Sequence, residues 1–358
     1  MVALEAATSR DARCGSDRAV ALWLLVIAGM IALMVLIGGL TRLTGSGLSI
    51  TEWRPVTGAI PPLSDADWQA EFARYQGTPQ YDLLNRGMGL AAFKTIYWWE
   101  WTHRLLGRLI GVVFAAPFLV FLWQRRIDRA LAGRLAIIFL LGGAQGALGW
   151  WMVQSGLVET RVAVSQYRLA AHLGLAIILF GYILWTALEV IGARRSDVNA
   201  AVRFRPFVLV FAGLLFVQML LGAFVAGLDA GLAFSTWPTY GGAWIPPGLY
   251  DLAPWWINHF ENHALVHFQH RTLGYAIALM AVWLYLSLRP VADKPLKLAG
   301  THVAALVAIQ IALGAVTVVS GVALPLAALH QIVALALFAC ALWWAYVLKG
   351  ARGGITET

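Results

Sequence analysis

Eight apolar runs, each close to the length of a bilayer crossing, dominate this 358-residue chain. They cover roughly residues 19–41, 96–123, 135–154, 164–191, 206–227, 263–288, 299–320 and 325–348. At about 1.5 Å of rise per residue, about 20 apolar residues in a helix cross about 30 Å of hydrocarbon. A segment in lipid must satisfy its own backbone polar groups, which a helix does and irregular chain does not. The runs therefore predict an all-α polytopic membrane protein with eight transmembrane helices. Composition agrees: 60% hydrophobic residues, 12% charged residues and 17 tryptophans exclude a soluble globule. The first run, Ala19 to Leu40, follows arginines as a signal peptide would. It is long enough to span and has no clear cleavage site, so it reads as a retained helix.

Charge gives the orientation. The stretches 124–134 and 192–205 carry four arginines each, and 289–298 carries Arg289, Lys294 and Lys297. On the other side, 155–164 has only Arg161, and 228–262 has no Lys or Arg. The positive-inside rule then places both termini in the cytoplasm. The net charge of +8 is thus read as orientation in the lipid bilayer, with no nucleic-acid partner. The outer loops are rich in Trp, Gly and Pro, with Trp53, Trp68, Trp98, Trp99, Trp237, Trp244, Trp255 and Trp256 at interfacial depth, where tryptophan commonly anchors. The two cysteines, Cys14 and Cys340, have no evident pairing, so neither a structural disulfide nor a thiol site is expected.

The chain also repeats itself. Gly47-Leu48-Ser49, Trp53 and Ile60-Pro61-Pro62 match Gly231-Leu232-Ala233, Trp237 and Ile245-Pro246-Pro247. Gln145 to Gly149 matches Gln310 to Gly314, and His172 matches His330. His103, Arg104 and Gly107 are in register with His270, Arg271 and Gly274. The order is kept throughout, which predicts two parallel-repeat four-helix bundles, 1–197 and 198–358.

Four of the eight histidines occupy repeat-equivalent places: His103, His172, His270 and His330. From the apolar runs, each lies about 8 to 13 Å inside the outer end of its helix. A lone membrane histidine is more often a buried hydrogen-bonding residue. Four at matched depth in a duplicated frame call for a joint explanation, because ionisable groups in membrane helices are expensive and usually functional. Two imidazoles facing across a bundle can ligate a haem iron from both sides. Zinc would need three or four close ligands. Glu100, His103 and His172 offer three, but the second half has no carboxylate at the matching place, so haem is favoured. Arg104 and Arg271 are candidate propionate contacts. Arg168, one turn outward of His172, is a candidate for the same role or for snorkelling to headgroups. Glycines 107, 111, 142, 143, 146, 149 and 314 read first as sites of close helix approach. The halves differ at one place. Glu100, three residues before His103, corresponds to His267. A carboxylate beside a macrocycle can move protons or stabilise positive charge, whereas a second histidine would tune or relay. That asymmetry separates an enzyme from a bis-histidine cytochrome b that only shuttles electrons.

Together, Glu-x-x-His-Arg-x-x-Gly at 100–107, His172, His-Arg-Thr-Leu-Gly at 270–274, His330 and the loop from Gly38 to Ser49 resemble the haem A synthase family over about residues 19–348. The resemblance implies oxidation of the C8 methyl of haem O to a formyl group, through an alcohol and then a hydrate, giving haem A for cytochrome oxidase. It implies substrate haem O at His103 and His172 with Glu100 catalytic, and a haem b cofactor at His270 and His330 with His267 tuning or relaying. It also implies a bacterial inner-membrane location with haem sites towards the periplasm, and as partners haem O synthase, cytochrome oxidase assembly factors and an electron-transfer protein. The cysteine pairs that some family members carry in the outer loops are absent here. The competing readings are the electron-shuttling cytochrome b and a duplicated transporter, whose repeats are commonly inverted.

Overall fold

The computed structural model describes residues 17–158 and 161–349, so Cys14 lies outside the described residues. Eight helices are long and apolar enough to cross a membrane. They are α1 (Arg18–Leu43), α2 (Leu90–Trp123), α3 (Arg129–Gln154), α4 (Gln166–Val190), α5 (Arg205–Gly227), α6 (His263–Leu288), α7 (Lys294–Val319) and α8 (Leu324–Val347). Long connections join α1 to α2 and α5 to α6 at one end of the molecule.

Several helices begin earlier than their apolar runs because polar caps, invisible to hydropathy, start them. Asp128 accepts from the Leu131 amide to open α3, and Asp293 accepts from the Leu296 amide to open α7. Asn262 caps α6 through the amides of Ala264 and Leu265. α2 also starts early, at Leu90 rather than near 96. Its first turns are held by a cap built from the 42–95 segment, expected only as a loop. Within that segment a helix runs Asp65–Gln76, opened by a capping box in which Ser64 and Asp67 bond each other's backbone. Its Trp68, Phe72 and Tyr75 bury against Phe93 and Tyr97 of α2.

Each of α1 to α4 packs on the next and α4 closes on α1; α5 to α8 do likewise, with α8 closing on α5. Contacts of α4 with α5, α1 with α8 and α4 with α8 join the two groups. Within the rings, the α2–α3 seam is the thinnest. These two helices bury only 11% of their most apolar windows, against 44% for α4. The main core gathers Leu24, Ile27, Phe114, Leu135, Ile177, Ile183, Phe211, Leu284 and Trp344, all towards the short-loop end. At that end Glu189 accepts from Arg134, Lys349 and Trp185, tying α3, α4 and the end of α8 together. The long-loop half of the helices is left less densely packed, and the four histidines stand there.

Candidate functional site

The even-numbered helices carry the histidines and the odd-numbered helices carry glycines that receive them. A Cβ at Gly38 of α1 would lie 2.9 Å from His103 Cε1, and one at Gly149 of α3 would lie 2.8 Å from His172 Cε1. At Gly222 of α5 the distance to His270 Cε1 would be 3.2 Å, and at Gly314 of α7 the distance to His330 Cε1 would be 3.1 Å. Each glycine sits five residues before the end of its helix, so the contacts form one layer. Close approach of a ring, which a side chain would crowd at Gly222 and Gly314 and displace at Gly38 and Gly149, accounts for glycine here. The sequence reading took Gly149 and Gly314 as helix–helix packing positions, and the occupant of the space is instead an imidazole. Gly111, Gly142, Gly143 and Gly146 meet nothing within 4 Å and face open space. His172, His270 and His330 lie about 9 to 11 Å along their helices, as expected. His103 lies about 20 Å from the start of α2, because that helix projects past the layer.

Three of the four joints carry a glutamine one turn before the glycine. Gln145 Nε2 donates to the His172 carbonyl at 2.9 Å, Gln218 Nε2 to the His270 carbonyl at 2.8 Å, and Gln310 Nε2 to the His330 carbonyl at 3.0 Å. The same amides lie against the rings, at 3.1 Å from His172 Nδ1 and 3.2 Å from His270 Nδ1. The fourth joint has Met34 in that place. A further glutamine, Gln331, next to His330, donates to the Val35 carbonyl at 2.7 Å and fills the space above Gly39, so α8 is pinned to α1. Of these, Gln145 and Gln310 were noticed only as part of a repeat. Gln218, Gln331 and Gly222 were missed, although Gln-x-x-x-Gly recurs at 145–149, 218–222 and 310–314, and Gly38, read as the start of a loop, lies inside α1.

His270 and His330 face each other, with ring centroids 6.4 Å apart and planes at 72°. An imidazole nitrogen stands about 2 Å from the metal it binds. Adding about 1 Å of ring radius on each side, two imidazoles gripping one ion have centroids roughly 6 Å apart. The separation of the pair is therefore that of two imidazoles that would share one metal ion. Half-buried rings with glycines against their edges, and open space at Gly111 of α2 and at Gly142, Gly143 and Gly146 of α3, suit a flat macrocycle. Among the described residues, no three His, Cys, Asp or Glu side chains converge as an ion site.

Glu100 is buried, 2% exposed, and four donors reach it. Ser49 Oγ and the Ile50 amide lie 2.8 Å from Oε2, while Arg104 Nε and Nη2 lie 3.0 and 2.6 Å from Oε1. Four donors fill a carboxylate's acceptor sites. Arg104 also donates to the Ile50 and Glu52 carbonyls, at 2.7 and 2.9 Å. The second half repeats the device without the carboxylate. Arg271 Nε donates to Nε2 of buried His267 at 3.0 Å and reaches the Phe234 and Thr239 carbonyls, both at 3.3 Å. Its guanidinium covers the Tyr240 ring, 4.3 Å from the centroid; burial pushes that phenol up to about 12. Both arginines thus clamp a long interhelical loop onto the helix that bears a histidine. Arg168 donates to the Trp151 carbonyl at 2.6 Å and stacks on that indole. His259 bonds Gln269 in the loop region, and His302 bonds the Leu298 carbonyl; neither joins the layer.

Known proteins share this chain's sequence over most of its length. It is 50% identical to haem A synthase of Parvibaculum lavamentivorans over 92% of this chain and 94% of that protein. It is 51% identical to haem A synthase of Paracoccus denitrificans over 90% and 86%, respectively. Against haem A synthase of Rhodospirillum centenum the identity is 47%, over 97% and 93%. The sequence model of the COX15-CtaA family, described as cytochrome oxidase assembly protein, matches residues 21–342, and the chain belongs to that family.

Proposed function

We propose that this protein is a membrane oxidoreductase that converts haem O to haem A for cytochrome oxidase. Two supports converge: relatives of about half identity bear the name haem A synthase, and paired histidines stand at iron-binding separation in a glycine-lined layer. The observation that carries the reading is the 6.4 Å separation of His270 and His330.

In this reading His270 and His330 hold a resident haem b, which supplies one-electron redox capacity when bound. His103 and His172 hold the substrate haem O. Methyl to formyl is a four-electron oxidation, and positive charge develops at the carbon as electrons leave. Glu100 supplies a buried negative charge whose position is fixed by Ser49, the Ile50 amide and Arg104. A preorganised charge of this kind stabilises such a transition state without reorganising during reaction. His267, at the matching place, gives the cofactor half a neutral hydrogen-bonding group instead. Arg104, Arg271 and Arg168 stay as propionate contacts through donors not spent on loop carbonyls. The thin α2–α3 seam gives the isoprenoid tail of haem O a way to lie in lipid. Both termini are cytoplasmic in a bacterial inner membrane, with the histidine layer towards the periplasm. The supply and consumption of haem imply haem O synthase, assembly factors and an electron-transfer protein as partners.

The test is chromatography of haems extracted from the purified protein and from Glu100→Ala. The wild type should carry haem B together with haem O or haem A. The variant should retain both haems yet make haem A at least about a hundredfold more slowly, the range for losing one preorganised charge. Wild-type protein without Soret absorption, or haem A formation at normal rate in the variant, would contradict the assignment.

A further inference from the structure

The four histidine joints are built alike except one. In α3, α5 and α7 a glutamine stands four residues before the glycine and its amide holds the carbonyl of the histidine on the next helix. In α1 that residue is Met34, four before Gly38. Its place in the joint is equivalent: a Cβ at Gly107 would lie 3.5 Å from Met34 Cε, and one at Gly274 would lie 3.5 Å from Gln218 Nε2. A thioether has no proton to donate, so Met34 fills the corner without bonding it. Among the described residues no side-chain hydrogen bond reaches the ring or carbonyl of His103, and its Nδ1 is buried without a partner. His330 Nδ1 also lacks a partner, so the carbonyl staple, not the ring, separates His103 from the others.

We infer that the first-half site holds one fixed and one releasable imidazole: His172, stapled by Gln145, stays, and His103, opposite Met34, is the ligand that lets go. The inference rests on the haem reading of the previous subsection. Helices α1 and α2 are joined above and below the layer, by Thr41 Oγ to the Trp99 carbonyl at 3.4 Å and by Trp23 Nε1 to the Val113 carbonyl at 2.8 Å. The freedom is therefore local to the ligand and does not require the helix to withdraw. The neighbouring seam towards α3 is the thinnest in either ring, which leaves room for a displaced ring. In the second half both imidazoles are stapled, by Gln218 and Gln310, as a permanently held cofactor requires. Gln145, Gln218 and Gln310 are positioning residues in this scheme, and Met34 is the deliberate gap.

Carbon monoxide reports this directly, because a reduced haem with two imidazoles binds it only after one leaves. Full-length protein carrying its resident haem and loaded with haem O is reduced and mixed with carbon monoxide. One haem should react in the wild type. Met34→Gln should slow that reaction roughly two- to tenfold, the range one neutral hydrogen bond supplies, while Met34→Leu should not. Gln218→Met transplants the gap into the second half and should make the resident haem reactive. The unreacted haem's spectrum reports folding in each variant. Unchanged kinetics in both Met34→Gln and Gln218→Met overturn the inference while leaving the haem reading intact. A wild type that takes up no haem O overturns both.

Discussion

Close contact between imidazole and glycine backbone makes the histidine layer intolerant of a single methyl group. At Gly38 and Gly149 an added Cβ would come within 3.0 Å of a histidine Cε1, so the ring must move; at Gly222 and Gly314 it must yield by a few tenths of an ångström. Overpacking of this kind typically costs about 1–3 kcal/mol. Gly314→Ala and Gly222→Ala are therefore expected to weaken retention of the haem proposed at His270 and His330 roughly five- to hundredfold, since about 1.4 kcal/mol is tenfold. Gly149→Ala and Gly38→Ala should act, and more strongly, on the haem proposed at His103 and His172. Haem content per protein after detergent washing measures it, and full retention in all four variants would show that the rings do not lie where the glycines are. The histidines, Glu100 and the arginines were legible in the sequence because ionisable groups stand out in apolar helices. Gln218 was not, because a neutral amide inside Val-Gln-Met-Leu-Leu carries no such contrast. The contact role of the glycines was hidden for another reason: glycine in a membrane helix signals closeness without naming the neighbour.

At the scale of helices and loops, spans were legible and their polar ends were not. Hydropathy finds the stretch that lipid surrounds, whereas Asp128 and Asp293 open α3 and α7 several residues before it. The 42–95 segment hid the helix Asp65–Gln76 because its apolar face, Trp68, Phe72 and Tyr75, is spent on α2 and not on lipid. Asp17 shows what such an end contributes. It caps α1 through the Ala19 and Val20 amides and is held by Arg126 from beyond α2 at 2.5 and 2.6 Å. The Arg126 guanidinium keeps the Asp17 carboxyl below its usual 3.8. A carboxyl with a lowered folded-state value stabilises the fold above the unfolded value and loses that contribution as pH falls through the folded one. The start of α1 is thus firm at neutral pH and loosens below about pH 4. Asp17→Ala should remove the pH dependence and cost about 0.5–2 kcal/mol at neutral pH, as for other lost caps. Hydrogen exchange of amides 19–23, corrected for intrinsic rates, reads both effects. Equal protection at pH 3 and 7 in the wild type would count against the cap.

At the scale of the whole molecule, the order of repeated motifs leads to the expectation of two look-alike halves; the helices contact one another within α1–α4 and within α5–α8, and α4 with α5, α1 with α8 and α4 with α8 across the two groups. What sequence could not announce is how the rings are tied. Gln331 bonds α8 to α1 beside Gly39, Arg42 meets Asp229 at 2.8 Å, and Tyr167 donates to Glu261 at 2.9 Å. None of these ties has a counterpart in the repeat, so spacing gave no signal for them. Each histidine pair nonetheless belongs to one ring: α2 and α4 carry the first, α6 and α8 the second. If the two proposed sites are separate, His270→Ala or His330→Ala should remove the haem B proposed there, while His103→Ala and His172→Ala should leave it at wild-type content. Quantifying haem B per protein in the four variants decides this. The expected outcome is asymmetric in one respect, because the Gln331 tie runs from beside His330 to the helix whose Gly38 receives the His103 ring. Loss of a ligand at His330 should therefore disturb substrate-haem uptake more than loss at His270, which has no such tie. Equal effects of the two on uptake would mean that α8 is held to α1 independently of what its histidine binds.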